Sequence, residues 1–574
     1  MDMLTFIFTI ATYVICSIAI VFWIINAKKI GMPVKKRLGK MRHSDANVNW
    51  LDSIITKHGK ELYLTAFFVI AIIAVVVRLW QLGAVPWGLN QDEASIGYDS
   101  FAIGLTGYCR NGYRFPIYPI GFGNGHGPLY TYLSIPAIRL LGLSIFSVRI
   151  TNALLSCIAV FTSYFLIMRL TQSRIAALLG FFFMATAPTL IISSRWALDG
   201  SPPPAFFILA LYFFIRATDS QKTVSYVLSA IFFAVICYAY GPVAVVVPVF
   251  LFFSCIYLIY HKKITVIQLL LSAFAFIVII APVALFMALN VFEFAPDFSR
   301  GIFMTYPRFT GNRADTIFLD GFEPSNFLAG LEMMIFQPDD LIWNSVPGFG
   351  TTFLFTAPLI MMGIFLSFYR TKIKKYNPLF FVCIYFIASV FMVGLIQQNI
   401  NRVSVVYPAL VLLIVYAVYE IGKRLRYLAA VICLFVMISF GAFVGTYFSD
   451  NYRQEFDRAF FYSFGDAVEL AMEKTDDVIF VTQRNMNMPG ILTLFYSGIL
   501  PQQYFNTVVY HNPNEEFRWE ASFDRFVFGT PHIHDPNGVY IICNSEIFMF
   551  DPTLFYQHEF MFYSVMYPRR NANE

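Results

Sequence analysis

Residues 62–80 read LYLTAFFVIAIIAVVVRLW, nineteen positions with one charge, Arg78, near the far end. Such a run matches the roughly 20 apolar residues that a helix needs to cross a bilayer. Working outward, further runs of this kind occupy 3–25, 147–168, 175–194, 203–216, 224–240, 243–260, 265–289, 350–369, 378–396, 402–420 and 427–447. Composition agrees: 58% of the 574 residues are hydrophobic and 13% are charged, whereas a soluble domain carries about 25% charged residues. The expectation is a polytopic α-helical membrane protein of about twelve spans.

Charge placement tests that count, because orientation follows the positions of Lys and Arg and not their sum. Alternation puts 26–60, 169–174, 216–222, 261–263, 370–375 and 421–426 on one side, and these short segments hold 22 of the chain's 40 Lys and Arg. Every lysine except Lys474 lies in them. They are therefore expected to be cytoplasmic, with both termini outside. The first run, 3–25, is followed and not preceded by its positive charges, so it reads as an uncleaved span. Length then accumulates outside, in 81–146, 290–349 and 448–574. The last is expected to be a small α/β domain, from strand-like runs at Val478 to Thr482 and Val539 to Cys543 and a helix-like run after Pro489. The expected divisions are 1–60 (an added span and basic loop), 61–447 (the membrane domain) and 448–574. Six of the eight cysteines fall inside apolar runs. Only Cys109 and Cys543 lie outside them, and a disulfide between these two is left open.

Carboxylates are absent from Pro128 to Leu198 and from Leu341 to Tyr419. Ion-coupled transporters commonly place such groups at mid-membrane, so chemistry at the outer interface is favoured over transport through the bundle. Three outer clusters carry candidate groups. Asn90-Gln91-Asp92-Glu93-Ala94 follows the second span closely; Asp92 there is either a helix N-cap or a general base for an incoming hydroxyl. Gly123-Asn124-Gly125-His126-Gly127-Pro128 is either a flexible turn or a close approach of backbone and imidazole to a phosphate. In Ser193-Ser194-Arg195-Trp196-Ala197-Leu198-Asp199, Arg195 and Asp199 are four apart and either pair with each other or leave the arginine for a phosphate. Arg300, Arg308 and Arg313 are further candidates for an anionic headgroup.

In this order, the pieces resemble the GT-C fold membrane glycosyltransferases, in particular the group of protein O-mannosyltransferases and lipid A aminoarabinose transferases. The family's acidic motif in the first outer loop is matched by Asp92-Glu93, and its His- or Lys-Pro-Pro-Leu segment by His126-Gly127-Pro128-Leu129. Phe146-Ser147-Val148-Arg149-Ile150-Thr151-Asn152-Ala153 is similar to the phrase Phe-x-x-Arg-Leu-x-x-Ala. Arg195-Trp196-Ala197-Leu198-Asp199 matches Arg-x-Ala-x-x-Asp in part, and Tyr240-Gly241-Pro242 stands where a Lys-Gly-Pro turn is usual. The resemblance covers about 62–260 well. Gly127 in place of a proline, Tyr240 in place of a lysine and the added span 3–25 are departures.

The resemblance implies transfer of a sugar from a polyprenyl-phosphate donor to an acceptor hydroxyl, inverting, on the extracytoplasmic face of the plasma membrane. Asp92 and Glu93 would be catalytic, with Asp92 as base. His126, Arg195, Arg308 and Arg313 would hold the donor phosphate, and Asp199 and Tyr240 would orient groups or bind acceptor. It implies no cofactor and no catalytic metal. The acceptor would be a protein, a cell-wall polymer or a lipid-linked glycan, and nothing points to nucleic acid. The alternatives are a lipid or glycan transporter or flippase, and a scaffold presenting 448–574.

Overall fold

The computed structural model describes residues 50–122, 125–291, 304–307, 321–373, 376–452, 459–515, 518–531 and 533–569. The expected span at 3–25 and Arg300, Arg308 and Arg313 lie outside the described residues. Each of the other expected spans overlaps a helix: Trp50–Leu79, Ile145–Thr171, Arg174–Thr186, Pro203–Ser220, Thr223–Ile236, Val243–Tyr260, Val266–Val291, Ala357–Ile373, Phe380–Val393, Tyr407–Gly422 and Arg426–Tyr447. Among the described residues, seven helices are long and apolar enough to cross a membrane by length and composition. The fold is that of a helical integral membrane protein.

The run expected at 175–194 is not one helix. Pro188 cannot continue the hydrogen-bond ladder, so Arg174–Thr186 stops and a short helix, Pro188–Ile192, restarts beyond it. The carbonyls freed there are not left bare. Arg78 donates to Met184 O at 3.1 Å and Ala185 O at 3.2 Å, which places a cation at the negative end of a helix.

Beyond the membrane helices, Gln91–Thr106 (α1) and Pro128–Leu141 (α2) lie in the long segment 81–146. The C-terminal part is an α/β unit as expected. Its seven strands are β1 Ile479–Val481, β2 Val509–Tyr510, β3 Glu520–Phe523, β4 Phe526–Phe528, β5 Val539–Cys543, β6 Phe555–Glu559 and β7 Tyr563–Pro568. Their order is β2-β3-β4-β1-β5-β7-β6, with β1 parallel to both β4 and β5. Helix Pro489–Ser497 (α3) follows β1, where the run after Pro489 is expected.

This unit does not pack alone. One apolar core joins Leu89, Ala94, Ile96 and Tyr98 of the 81–146 segment to Val468, Ile479, Phe495 and Ile541. The Tyr98 hydroxyl donates to Ile499 O at 2.6 Å. The 81–146 segment and the C-terminal unit are therefore one packed layer, and it is this layer that holds the acidic helix α1 in place. Cys109 and Cys543 are both buried and both free.

Candidate active site

Helix α1 begins at Gln91, and its N-cap is Asn90, not Asp92. Asn90 Oδ1 accepts from Asp92 N at 2.9 Å, and Glu93 Oε2 accepts from Asn90 N at 3.3 Å. This reciprocal pair is a capping box with Asn90 as the capping side chain. Asp92 lies half-buried in the first turn.

Glu93 is in the opposite situation. It is fully buried, and Arg149 meets it twice, Nε to Oε1 and Nη2 to Oε2, each at 2.8 Å. Ala197 N adds a third bond to Oε1 at 2.9 Å. The other donors of Arg149 reach Pro86 O at 2.6 Å and Gly88 O at 2.9 Å. A bidentate arginine fixes a carboxylate in direction as well as distance. Glu93 therefore ties α1 to the helix Ile145–Thr171 and to the 193–202 turn. This departs from the catalytic role expected of it, because its oxygens are enclosed by protein donors.

Arg195 departs as well. Its guanidinium is buried and donates to Val77 O at 2.8 Å, Trp80 O at 2.7 Å and Val85 O at 2.9 Å, with Phe448 against it at 4.8 Å. These carbonyls belong to the last turn of Trp50–Leu79 and the segment after it. Arg195 thus caps a helix end and is directed inward, away from the position expected of a phosphate ligand.

His126 is nearly buried, and its Nε2 lies 2.9 Å from Ser95 Oγ. Ser95 follows Asp92 by three residues, so both share one face of α1, and the imidazole comes to the Asp92 face. Next to it, Gly127 N donates to Asp199 Oδ2 at 3.3 Å. Gly127 also explains its departure from the family pattern: a Cβ there would come within 1.3 Å of Ala239 O. The Tyr238–Tyr240 backbone runs directly against this turn, and Leu129 N donates to Tyr238 O at 3.1 Å. Tyr240 is half-buried beside Gly200. The structure therefore brings His126, Asp199 and Tyr240 to one neighbourhood, with Asp92 on the face of α1 that carries Ser95, and gives Glu93 and Arg195 other partners.

Two further groups face this neighbourhood. Tyr118 stacks on Phe286 at 4.9 Å between centroids. Burial first, then the negative charge of Asp199 and the nearby Tyr240, push its phenol up from its ordinary value. Arg110 and Asp99 form a second buried ion pair at 2.8 Å. Sequence reasoning gave none of these three a role, and Arg149 only a place in a motif. The lone arginine near the start of an apolar run was a usable signal, since a charge in a spanning segment is costly and usually partnered. Among the described residues, no group of three or more His, Cys, Asp or Glu side chains comes together in a way that could hold a metal ion.

The family model for dolichyl-phosphate-mannose-protein mannosyltransferase matches residues 123–298. Among solved structures, ArnT from Cupriavidus metallidurans in the apo state is similar at 14% identity over 88% of this chain and 98% of that one, with a TM-score of 0.53. The same protein bound to undecaprenyl phosphate is similar at 15% identity over 87% of this chain and 97% of that one, also with a TM-score of 0.53. No curated protein matches the chain in sequence. The chain has the GT-C fold of membrane glycosyltransferases.

Proposed function

We propose that the protein transfers a sugar from a polyprenyl-phosphate donor to an acceptor hydroxyl on the extracytoplasmic face, with inversion and with Asp92 as general base. The observation that carries this reading is the division within one dipeptide. Glu93 is enclosed by Arg149 and Ala197, while the adjacent Asp92 is half-buried in the first turn of α1, three residues before the serine that meets His126. A carboxylate so placed removes the proton of an acceptor hydroxyl as its oxygen attacks the anomeric carbon. The bond from that carbon to the phosphate oxygen breaks, and the electron pair stays on the polyprenyl phosphate. Charge developing there is met by His126, with Arg308 and Arg313 as the proposed cationic partners from the 290–349 loop. Asp199 and Tyr240 orient the reacting groups, and Glu93 and Arg195 act as positioning residues. The lysine-rich segments face the cytoplasm, which puts this site and both termini outside, with 1–60, 61–447 and 448–574 as the proposed divisions.

The test uses the purified full chain in detergent with a polyprenyl-phosphate sugar. Release of polyprenyl phosphate together with a glycosylated acceptor is expected in the absence of any membrane gradient. A protein that moves the donor across vesicles and yields no product would instead be a flippase, and the reading fails.

A further inference from the structure

The Asp99–Arg110 pair takes part in none of the steps above, yet it is built into the walls around His126. Arg110 N donates to Asp99 Oδ1 at 3.0 Å and Arg110 Nη1 to Asp99 Oδ2 at 2.8 Å. Both side chains are buried. The remaining bonds of the guanidinium leave the pair: Nη1 reaches Ser95 O at 3.2 Å and Nη2 reaches Gly121 O at 2.6 Å. Those two residues flank the imidazole. The Ser95 hydroxyl sits at Nε2, and Gly121 lies so close under the ring that a Cβ there would come within 2.4 Å of Cε1. Phe122 meets the ring edge-on at 6.4 Å and has Arg110 over its own face at 5.6 Å. His126 N donates to Pro119 O at 3.0 Å, which closes the loop behind it.

We propose that Asp99 and Arg110 are positioning residues that fix the His126 imidazole where the donor phosphate binds. The inference rests on the function proposed above. A guanidinium holds several acceptors at fixed angles, which a flexible ammonium cannot do. One arginine thus sets the distances among α1, the 109–112 turn and residues 119–122, while Asp99 anchors its charge. Lysine at position 110 keeps the charge beside Asp99 and loses the fork that reaches Ser95 and Gly121, so Arg110→Lys separates placement from pairing.

Affinity for undecaprenyl phosphate is measured on the purified full chain in detergent, for wild type, Arg110→Lys, His126→Ala and the double variant. KM for donor and acceptor is measured alongside. Arg110→Lys is expected to weaken undecaprenyl phosphate binding and raise the donor KM by about tenfold, since displacement of about 1 Å costs up to about a hundredfold. The acceptor KM should stay within about twofold. In the His126→Ala background, Arg110→Lys should add nothing, because the group it places is gone. Asp99→Asn should show the same donor-selective pattern at smaller amplitude. Weakened binding by His126→Ala with wild-type binding by both Arg110→Lys and Asp99→Asn overturns the inference alone, as does a loss that adds fully in the double variant. Wild-type binding by His126→Ala removes the phosphate role of that residue. A wild type that binds undecaprenyl phosphate and transfers no sugar sinks the proposed function, while the binding arm still decides the inference.

Discussion

Arg110 and Arg149, packed against α1, each meet a carboxylate, whereas Arg78 and Arg195, at the ends of membrane helices, are met by backbone carbonyls. Arg149 sits on Glu93 and Arg110 on Asp99, both at 2.8 Å. Arg78 reaches Ala74 O, Met184 O and Ala185 O, with Ser156 Oγ at 2.8 Å, and Arg195 reaches Val77 O, Trp80 O and Val85 O. The difference follows from what each region offers. A helix C-terminus carries unpaired carbonyls and about half a negative charge, so a cation there needs no acid. That fits a stretch from Pro128 to Leu198 without Asp or Glu. Arg110 and Arg149 are instead each met by an acid of α1, and backbone carbonyls take only their remaining donors. Two of the acids of α1 are therefore committed to holding arginines.

If this division is right, breaking the Glu93–Arg149 pair has the largest structural effect. Glu93→Gln or Arg149→Met leaves one buried charge without its partner and should cost about 3–5 kcal/mol. The midpoint of thermal unfolding in detergent should fall, and the monodisperse fraction with it. A midpoint unchanged in both variants would break the comparison on its carboxylate side. Arg195→Met should cost less, about 1–3 kcal/mol, because no charge is stranded and only helix-end carbonyls lose a donor. A loss as large as that of Arg149→Met would show that helix ends are poorer counter-charges than the account holds.

The smallest effect is expected at Glu520, a buried carboxylate that accepts from Tyr504 OH at 3.2 Å. Burial, the largest cause, pushes its carboxyl up, and Arg110 pulls it part of the way back. With the folded value above the unfolded one, its stabilising contribution is fully present at a pH below the unfolded value and is lost as pH rises through the folded value. Stability should therefore rise on mild acidification. Glu520→Gln should flatten that dependence while changing stability at acidic pH by about 1 kcal/mol or less. An unaltered pH slope would place Glu520 outside the network.

Much of the helical architecture is legible in the sequence because a bilayer demands long apolar runs. The break at Pro188 is equally a sequence feature, but the run on either side of it is apolar enough to hide it. The strands Ile479–Val481 and Val539–Cys543 and the helix after Pro489 follow their local patterns. What no local pattern carries is the merging of the C-terminal unit with α1, since Phe495 and Ile541 meet Ala94 only through the fold. The site divides in the same way. Asp92 and Glu93 stand out as a pair of acids, yet their separation depends on Arg149, distant in the chain. Arg195 looks like a phosphate ligand until the end of Trp50–Leu79 is seen beneath it. Asp99 and Arg110 carry no periodicity or motif that marks them.

The central claim is that Asp92, and not its neighbour, removes the acceptor proton. Sugar transfer by Asp92→Asn is the direct test, measured on protein whose membrane insertion and undecaprenyl phosphate binding match the wild type. The account predicts that turnover falls by about 10²–10⁴-fold with the unfolding midpoint unchanged. Turnover near the wild-type rate in that variant would contradict it.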